Sequence, residues 1–143
     1  MKKILLFIWL SILIPVVTQS VVANESNSDF SVSIEKNFQN RNLQGMCFEG
    51  ASLEGANFEN AELDKANFRN ANLKNANFRN AEIENATFEG ANLEGANFER
   101  ADLEETNLYR ANIKNANFKR AELEYATWID GQICGAGSVG ACW

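Results

Sequence analysis

The residues of this 143-residue chain that are most capable of chemistry are carboxylates that recur at a fixed spacing. Paired carboxylates can serve as general acid and base in glycoside hydrolysis, or can bind divalent cations through their oxygens. Repetition makes each carboxylate equivalent to the next, and nothing in the sequence builds a cleft around one pair. The recurring residues occupy two positions of a 20-residue period: Glu62, Asp64, Glu82, Glu84, Asp102, Glu104, Glu122 and Glu124.

The composition excludes most other kinds of active site. The chain has no His, which removes the commonest general acid or base and the commonest metal ligand. Three separated Cys without any His cannot supply a tetrahedral zinc site. A glycine-rich phosphate-binding loop is missing too, because most glycines recur at multiples of five residues. We therefore predict that the protein is not an enzyme and has no catalytic residue, no cofactor and no dedicated metal site.

An internal repeat positions the carboxylates. From residue 36 to residue 130 the chain divides into 19 consecutive five-residue units, most of which begin with Ala. A period of five fits neither an α-helix nor the alternation of a β-strand. It suits a short extended edge followed by a corner, repeated as a solenoid.

This pattern resembles the pentapeptide-repeat family, whose consensus unit is A-(D/N)-L-x-x. The resemblance implies an all-β fold: a right-handed quadrilateral β-helix, or pentapeptide-repeat solenoid, with four units per coil and about 4–5 coils. Residues 20 apart should then stack in columns that fill the interior and leave no ligand-sized cavity. We expect four columns, alternately aromatic and aliphatic around the square. One aromatic column runs through Phe38, Phe58, Phe78, Phe98 and Phe118, and one aliphatic column through Leu53, Leu73, Leu93, Ile113 and Ile133. The other two run through Phe48, Phe68, Phe88, Leu108 and Trp128, and through Leu43, Leu63, Ile83, Leu103 and Leu123.

Asn residues also recur every 20 positions, at the second residue of many units. Stacked Asn side chains can hydrogen-bond to one another along a ladder of strands. We therefore predict structural Asn ladders, in columns made of Asn37, Asn57, Asn77, Asn97 and Asn117 and of Asn72, Asn92 and Asn112.

Four regions are predicted along the chain. Residues 1–23 have the basic start, apolar run and small residues of a secretory signal peptide cleaved after Ala23, and the apolar run is too short to span a membrane. Residues 24–35 form a polar N-terminal arm, either flexible or folded as a short cap. Residues 36–130 form the pentapeptide-repeat domain, and residues 131–143 form a Gly- and Cys-rich C-terminal cap. We expect an exported protein, periplasmic or extracellular, that is not attached to a membrane after cleavage.

The C-terminal cap is expected to cover the open end of the column. Solenoids need such a cover, and the ending of this chain is similar to a W-x-D-G…C…G-S-x-G-x-C ending of exported family members. Trp128, Ile133 and Trp143 are predicted to provide it.

The cysteines predict a disulfide-closed cap. Cys134 and Cys142 are eight residues apart and can meet readily. Cys47 lies some four coils away, or ~19 Å, which is beyond the reach of a disulfide. An oxidising compartment therefore favours a Cys134–Cys142 bond. Cys47 should point outward, either as an inert thiol or as a free or intermolecularly linked one.

Charge is distributed unevenly over the four sides of the predicted column. The net charge of the chain is −6, yet the side through Leu63 has nine acidic and two basic residues, a net of −7. The neighbouring side through Phe78 has a net of +3. We call the surface that carries the eight recurring carboxylates the acidic face. It is either a solubilising surface or, as we favour, a docking surface for a basic partner with some capacity for weak divalent-cation binding.

These features predict a non-catalytic, exported protein that acts as a protein-interaction or structural scaffold module. The acidic balance argues against nucleic-acid binding. The resemblance supplies an alternative, because some cytoplasmic members mimic DNA, bind gyrase and confer quinolone resistance. The predicted signal peptide and the absence of long loops between units count against that alternative. A homodimer formed through the ends of the column is a further open alternative.

Overall fold

A computed structural model describes residues 36–143. The predicted signal peptide (1–23) and N-terminal arm (24–35) lie outside the described residues. The regular structure in residues 36–143 consists of turns and of bridges one residue long, without an α-helix or a longer strand. Parallel bridges join the second residue of a unit to the second residue of the unit 20 positions later, in four columns that begin at Asn37, Asn42, Cys47 and Ser52. Four five-residue units therefore complete each coil.

Each unit is an extended edge followed by a corner. The N–H of Ala56 donates to the carbonyl of Leu53 at 3.0 Å, and this turn hydrogen bond repeats from unit to unit. The fifth residue of the unit has a positive φ, for example 56° at Asn60 and 69° at Gly55. Asn and Gly adopt this left-handed conformation most readily, which explains why they dominate the corner position.

The interior is a stack of side chains, as the columns predict. The Phe58, Phe78 and Phe98 rings are fully buried, and successive ring centroids lie 4.8–4.9 Å apart in nearly parallel planes. The Phe columns of opposite sides meet edge to face in the interior, with Phe58 and Phe68 centroids 5.6 Å apart. Such pairs are favourable beyond the apolar area that they bury. Ala at the first position is also buried, as at Ala56 and Ala66, because this inward corner leaves no room for a larger side chain.

The Asn ladders are present on two sides of the column, except that the predicted first member, Asn37, is joined to Asn57 by a backbone bridge and, among residues 36–143, by no side-chain bond. The Nδ2 atom of Asn77 donates to Oδ1 of Asn57 at 3.1 Å, and Asn97 and Asn117 continue the chain of bonds at 3.3 Å and 2.9 Å. The second ladder joins Asn72, Asn92 and Asn112. Each Oδ1 also accepts a bond from the backbone N–H two residues later, as Asn57 does from Glu59. The side chain thus links one coil to the next and fixes its own corner.

The C-terminal tail, residues 131–143, turns back and pairs with the last coil. Antiparallel bridges join Thr127 to Ile133 and Glu122 to Val139. The predicted Cys134–Cys142 disulfide is present, with Cα atoms 4.8 Å apart.

Two of the three side chains expected to cover the core do not do so. Ile133 is 60% exposed and Trp143 is 73% exposed, so Ile133 does not extend the aliphatic column and Trp143 is not part of a lid. The antiparallel turn-back reverses the direction of the chain and directs these side chains outward. Trp128 is partly buried and packs edge to face on Phe118, with ring centroids 5.4 Å apart.

Residues 36–143 contain no helix of the length and apolarity that crossing a membrane requires.

Candidate functional site: the acidic face

The coils align the eight carboxylates of the acidic face in two rows. The first row lies at the second position of the unit, where consecutive β-bridges join Glu62, Glu82, Asp102 and Glu122. The second row lies two residues further along each edge. Its spacing is set by backbone bonds such as Lys65 N–H to the carbonyl of Glu84 at 2.9 Å and Asn85 N–H to that of Glu104 at 3.0 Å. Both rows therefore repeat at the spacing of adjacent strands, which is ~4.8 Å.

Neutral amides adjoin the acidic face at the first coil. Asn42 donates to a carboxylate oxygen of Glu62, and Gln44 donates to Oδ2 of Asp64 at 3.1 Å. The sequence prediction did not include these two amides, although the 20-residue period places them in the two carboxylate rows. They extend the polar surface by one coil without adding charge.

The carboxylates of the acidic face have no cationic partner among residues 36–143. The three salt bridges in this part of the chain all lie on other sides of the column: Arg69–Glu89 at 3.0 Å, Lys74–Glu94 at 3.5 Å and Arg79–Glu59 at 3.8 Å. On those sides, opposite charges alternate from coil to coil. On the acidic face, carboxylate follows carboxylate.

Mutual repulsion changes the ionisation of this face. The carboxylate of Asp102 raises the pKa of Glu84 above its ordinary value of 4.5, and partial desolvation and the charges of Asp64 and Glu82 act in the same direction. Partial desolvation raises the pKa of Glu104, and the charges of Asp102, Glu124 and Glu122 add to the effect. Because the pKa of both groups is raised, keeping Glu84 and Glu104 ionised costs more free energy in the folded protein than it does in water.

A hydrogen bond to the Glu124 carboxylate, and then its charge, raise the pKa of the Tyr125 hydroxyl. Tyr125 is a corner residue at the edge of the acidic face, with φ of 57°. The A-(D/N)-L-x-x consensus gives no signal for it, because the consensus leaves the corner residue unspecified.

One part of the face brings three carboxylates together. Oxygens of Asp102, Glu104 and Glu122 all lie within 4.8 Å of one another. Hard divalent cations prefer such oxygen ligands, although exposed acidic groups commonly cluster without binding one. The sequence predicted each of these residues, but it could not distinguish this trio from its neighbours, since the period makes all four coils look alike.

The face is a surface rather than a pocket. A depression on this face is open to solvent and is lined by residues that include Gln44, Asp64, Lys65, Glu84 and Asn85. One carboxylate oxygen of Asp64 is buried there and accepts no hydrogen bond from residues 36–143. This arrangement can bind cations by charge, but it does not enclose a substrate.

Cys47 lies on the side of the column that follows the acidic face, and it is exposed as a free thiol. Its Sγ atom is 3.8 Å from Nδ2 of Asn67 in the next coil. The prediction that it points outward is confirmed.

Comparison with protein-family models identifies the repeat independently. The family described as "Pentapeptide repeat region" matches residues 29–98, and the family described as "Pentapeptide repeats (8 copies)" matches residues 86–124. No curated protein sequence matches this chain significantly.

Solved structures with similar folds are pentapeptide-repeat proteins. HetL of the cyanobacterium Nostoc, a protein involved in regulating heterocyst differentiation, is 36% identical with a TM-score of 0.64, over 64% of this chain and 42% of HetL. Rfr23 of the cyanobacterium Cyanothece is 32% identical with a TM-score of 0.59, over 61% of this chain and 60% of Rfr23. A thylakoid-lumen protein of Arabidopsis thaliana is 25% identical with a TM-score of 0.52, over 73% of this chain and 85% of its own. The chain therefore spans less than half the length of HetL.

Proposed function

We propose a function on the premise that this chain belongs to the pentapeptide-repeat family and has the right-handed β-helix fold of that family. The protein acts outside the cytoplasm as a non-catalytic interaction or scaffold module. Its acidic face binds a basic partner by charge, without enclosing it. The observation that carries this proposal is the row of carboxylates without a salt bridge among residues 36–143, on a column whose other three sides each hold one salt bridge between coils.

The alternative role of solubilising the column accounts less well for this asymmetry. Alternating charges, such as Lys74 above Glu94 at 3.5 Å, keep a surface hydrated without repulsion between coils. Stacked carboxylates repel one another; this repulsion is the largest cause of the raised pKa of Glu84, and it adds to desolvation in raising the pKa of Glu104. A basic partner that docks on this face neutralises the repelling charges. The electrostatic free energy that destabilises the free protein is then relieved in the complex, which strengthens binding.

Export is supported by two features. The first 23 residues have the composition of a signal peptide, and the Cys134–Cys142 disulfide is of the kind that persists in oxidising compartments. A basic partner in the periplasm or outside the cell is consequently the relevant class. The filled Phe and Leu interior supports a non-catalytic role, since it leaves the protein only its outer surface for recognition.

Two variants of equal net charge test whether the face, rather than the total charge, binds. The acidic-face variant carries Glu82→Gln, Glu84→Gln and Glu104→Gln. The control variant carries Glu49→Gln, Glu54→Gln and Glu99→Gln, which lie on the other three sides and outside the three salt bridges. Each is titrated calorimetrically with a ten-residue oligolysine peptide, and separately with CaCl₂.

The proposal predicts that the acidic-face variant binds oligolysine at least about tenfold more weakly than the wild type, which corresponds to ~1.4 kcal/mol, whereas the control variant changes affinity little. Equal losses in both variants would mean that binding follows net charge alone, and would overturn the proposal. The CaCl₂ titration shows whether Asp102, Glu104 and Glu122 also bind a divalent cation.

The gyrase-binding alternative makes a separate prediction. It requires the mature protein to reside in the cytoplasm and to inhibit or protect gyrase in a supercoiling assay. The units from residue 36 to residue 130 follow one another without an inserted loop, which does not favour that alternative.

A further inference from the structure

The C-terminal tail buries little apolar surface. Three of its largest apolar side chains are exposed: Ile133 by 60%, Val139 by 54% and Trp143 by 73%. The buried residues of the tail are Cys134 and Ser138, each 1% exposed. The hydroxyl of Ser138 finds no hydrogen-bond partner among residues 36–143, and a buried hydroxyl without a partner is destabilising. Hydrophobic burial therefore does little to hold the tail on the column.

Backbone hydrogen bonds attach the tail to the last coil. Leu123 N–H donates to the carbonyl of Ser138 at 2.9 Å, and Tyr125 N–H donates to that of Cys134 at 3.2 Å. In the opposite direction, Cys134 N–H donates to Ala126 and Gly140 N–H to Ala121, both at 2.9 Å. Bonds of this kind contribute modestly once water can compete for the same groups.

The disulfide joins the two ends of this hydrogen-bonded segment. Cys134 is the residue whose N–H and carbonyl both bond to the last coil, and Cys142 follows the Gly140 contact by two residues. We propose that the disulfide is a redox-controlled latch: the tail closes the C-terminal end of the column while Cys134 and Cys142 are bonded, and it detaches when they are reduced. This inference does not depend on the function proposed for the acidic face.

Reduction proceeds by thiol–disulfide exchange with a dithiol. A thiolate of the reagent attacks the sulfur of Cys142, which is more accessible than that of Cys134. The bond between the cysteines breaks, Cys134 leaves as a thiolate, and a mixed disulfide forms at Cys142. The second thiol of the reagent then displaces Cys142, so that the protein holds two thiols and the reagent is oxidised to its cyclic disulfide. Before export, a reducing cytoplasm would keep the latch open by the same chemistry.

Amide hydrogen exchange with and without dithiothreitol tests the latch. Reduction should accelerate exchange of the Leu123, Tyr125, Cys134 and Gly140 amides by about tenfold or more, because the loop loses its cross-link. Amides of the middle coils, such as that of Phe78, should keep their rates. Unchanged exchange in the last coil would overturn the proposal, and so would equal acceleration throughout the column, which would indicate global unfolding.

Two variants complete the test. The Cys134→Ala, Cys142→Ala double variant should show the fast exchange without reductant, and dithiothreitol should have no further effect on it. The Cys47→Ser variant should respond to the reductant as the wild type does, because Cys47 is a free thiol of the first described coil. If dithiothreitol accelerated amide exchange in the double variant as much as in the wild type, the acceleration would not come from reduction of the Cys134–Cys142 bond, and the proposal would be wrong.

Discussion

The carboxylates of the acidic face place a cost on the folded state at the level of single residues. Glu84 and Glu104 both have a pKa above the ordinary value of 4.5, so the folded protein binds their protons more tightly than the unfolded chain does. Folding stability therefore rises as these two groups become protonated, and falls as pH increases through their folded-state pKa. Because both side chains are accessible to water, the effect is screened.

A Glu84→Gln, Glu104→Gln variant should be more stable than the wild type at neutral pH. Removal of two repelling charges should contribute about 0.2–1 kcal/mol, the range of exposed charge pairs, or ~1–4 °C in Tm. The difference should shrink as pH falls through the raised pKa values towards 4.5 and below, where the wild-type groups are protonated too. Thermal unfolding followed by circular dichroism between pH 4 and pH 7 measures this, because that range extends to both sides of 4.5, the ordinary pKa of Glu.

Glu89→Gln is the control, because its effect on folding stability should have the opposite sign. Glu89 accepts from Arg69 at 3.0 Å, so its neutralisation removes an attraction and should not stabilise the protein. If the Glu84→Gln, Glu104→Gln variant and the Glu89→Gln variant were both more stable than the wild type at neutral pH, any loss of negative charge would be favourable. That result would contradict the view that repulsion within the acidic face is the cause.

At the level of the five-residue element, one Asn side chain makes hydrogen bonds both within its own unit and to the units above and below it. Asn77 donates to Asn57 at 3.1 Å, accepts from Asn97 at 3.3 Å and accepts from the N–H of Arg79 at 3.2 Å. Asn117 donates to Asn97 and accepts from the N–H of Lys119, and it is more exposed.

Asn77→Ala should therefore destabilise the column by about 1–3 kcal/mol, since it removes the acceptor of the half-buried Asn97 side-chain amide and of the Arg79 backbone N–H, and one of the two donors to Asn57. Asn117→Ala is the matched change at the end of the ladder and should cost less, because water can replace the bonds that it loses. Urea denaturation of the two variants compares them directly. An equal cost at both positions would show that the ladder adds nothing beyond each local turn.

The stacked Phe rings of the aromatic column predict how folding stability responds to substitutions of Phe78. Phe78 lies between Phe58 and Phe98 at 4.9 Å and 4.8 Å and is fully buried. Phe78→Ala should cost about 3–5 kcal/mol, whereas Phe78→Leu should cost clearly less. The buried Leu108 already occupies the corresponding position of the opposite column, which contains Phe68 and Phe88. Similar losses in both variants would contradict the view that volume, more than ring stacking, sets the stability of the core.

The repeat explains which of these elements could be predicted from the sequence. Residues 20 apart stack because every coil contains four equal units, so the Phe columns, the Asn ladders and the alignment of Glu62, Glu82 and Glu122 follow from the period alone. Residues 20 apart no longer stack where the chain changes direction. After Gly131, at φ of 88°, the tail runs antiparallel to the last coil, and the period wrongly placed Ile133 in the core.

Side-chain contacts within the acidic face could not be predicted either. The close approach of the Asp102, Glu104 and Glu122 oxygens depends on rotamers, which a backbone period does not determine. The same holds for the exposure of Trp143, which is set by how the tail packs near Gly135 and not by the hydrophobicity of the residue.

At the scale of the whole described column, recognition is left to the outer surface. The interior from Phe58 to Leu123 is filled by buried side chains, and the depression on the acidic face is open to solvent. What distinguishes one side from the others is charge: among residues 36–143, each of three sides holds a salt bridge between coils, and the acidic face holds none. A flat, charged surface of this kind favours association with a partner of opposite charge and gives it a strong dependence on salt.

The central claim, that the acidic face is a docking surface, is tested most directly by quantitative capture from the exported fraction of the producing cells. Mature wild type, the acidic-face variant and the control variant are immobilised in equal amounts, and retained proteins are measured by mass spectrometry at low and at high salt. The account predicts a basic protein that the wild type and the control variant retain equally and the acidic-face variant loses. Retention of the same proteins by all three, or equal loss from both variants, would contradict it.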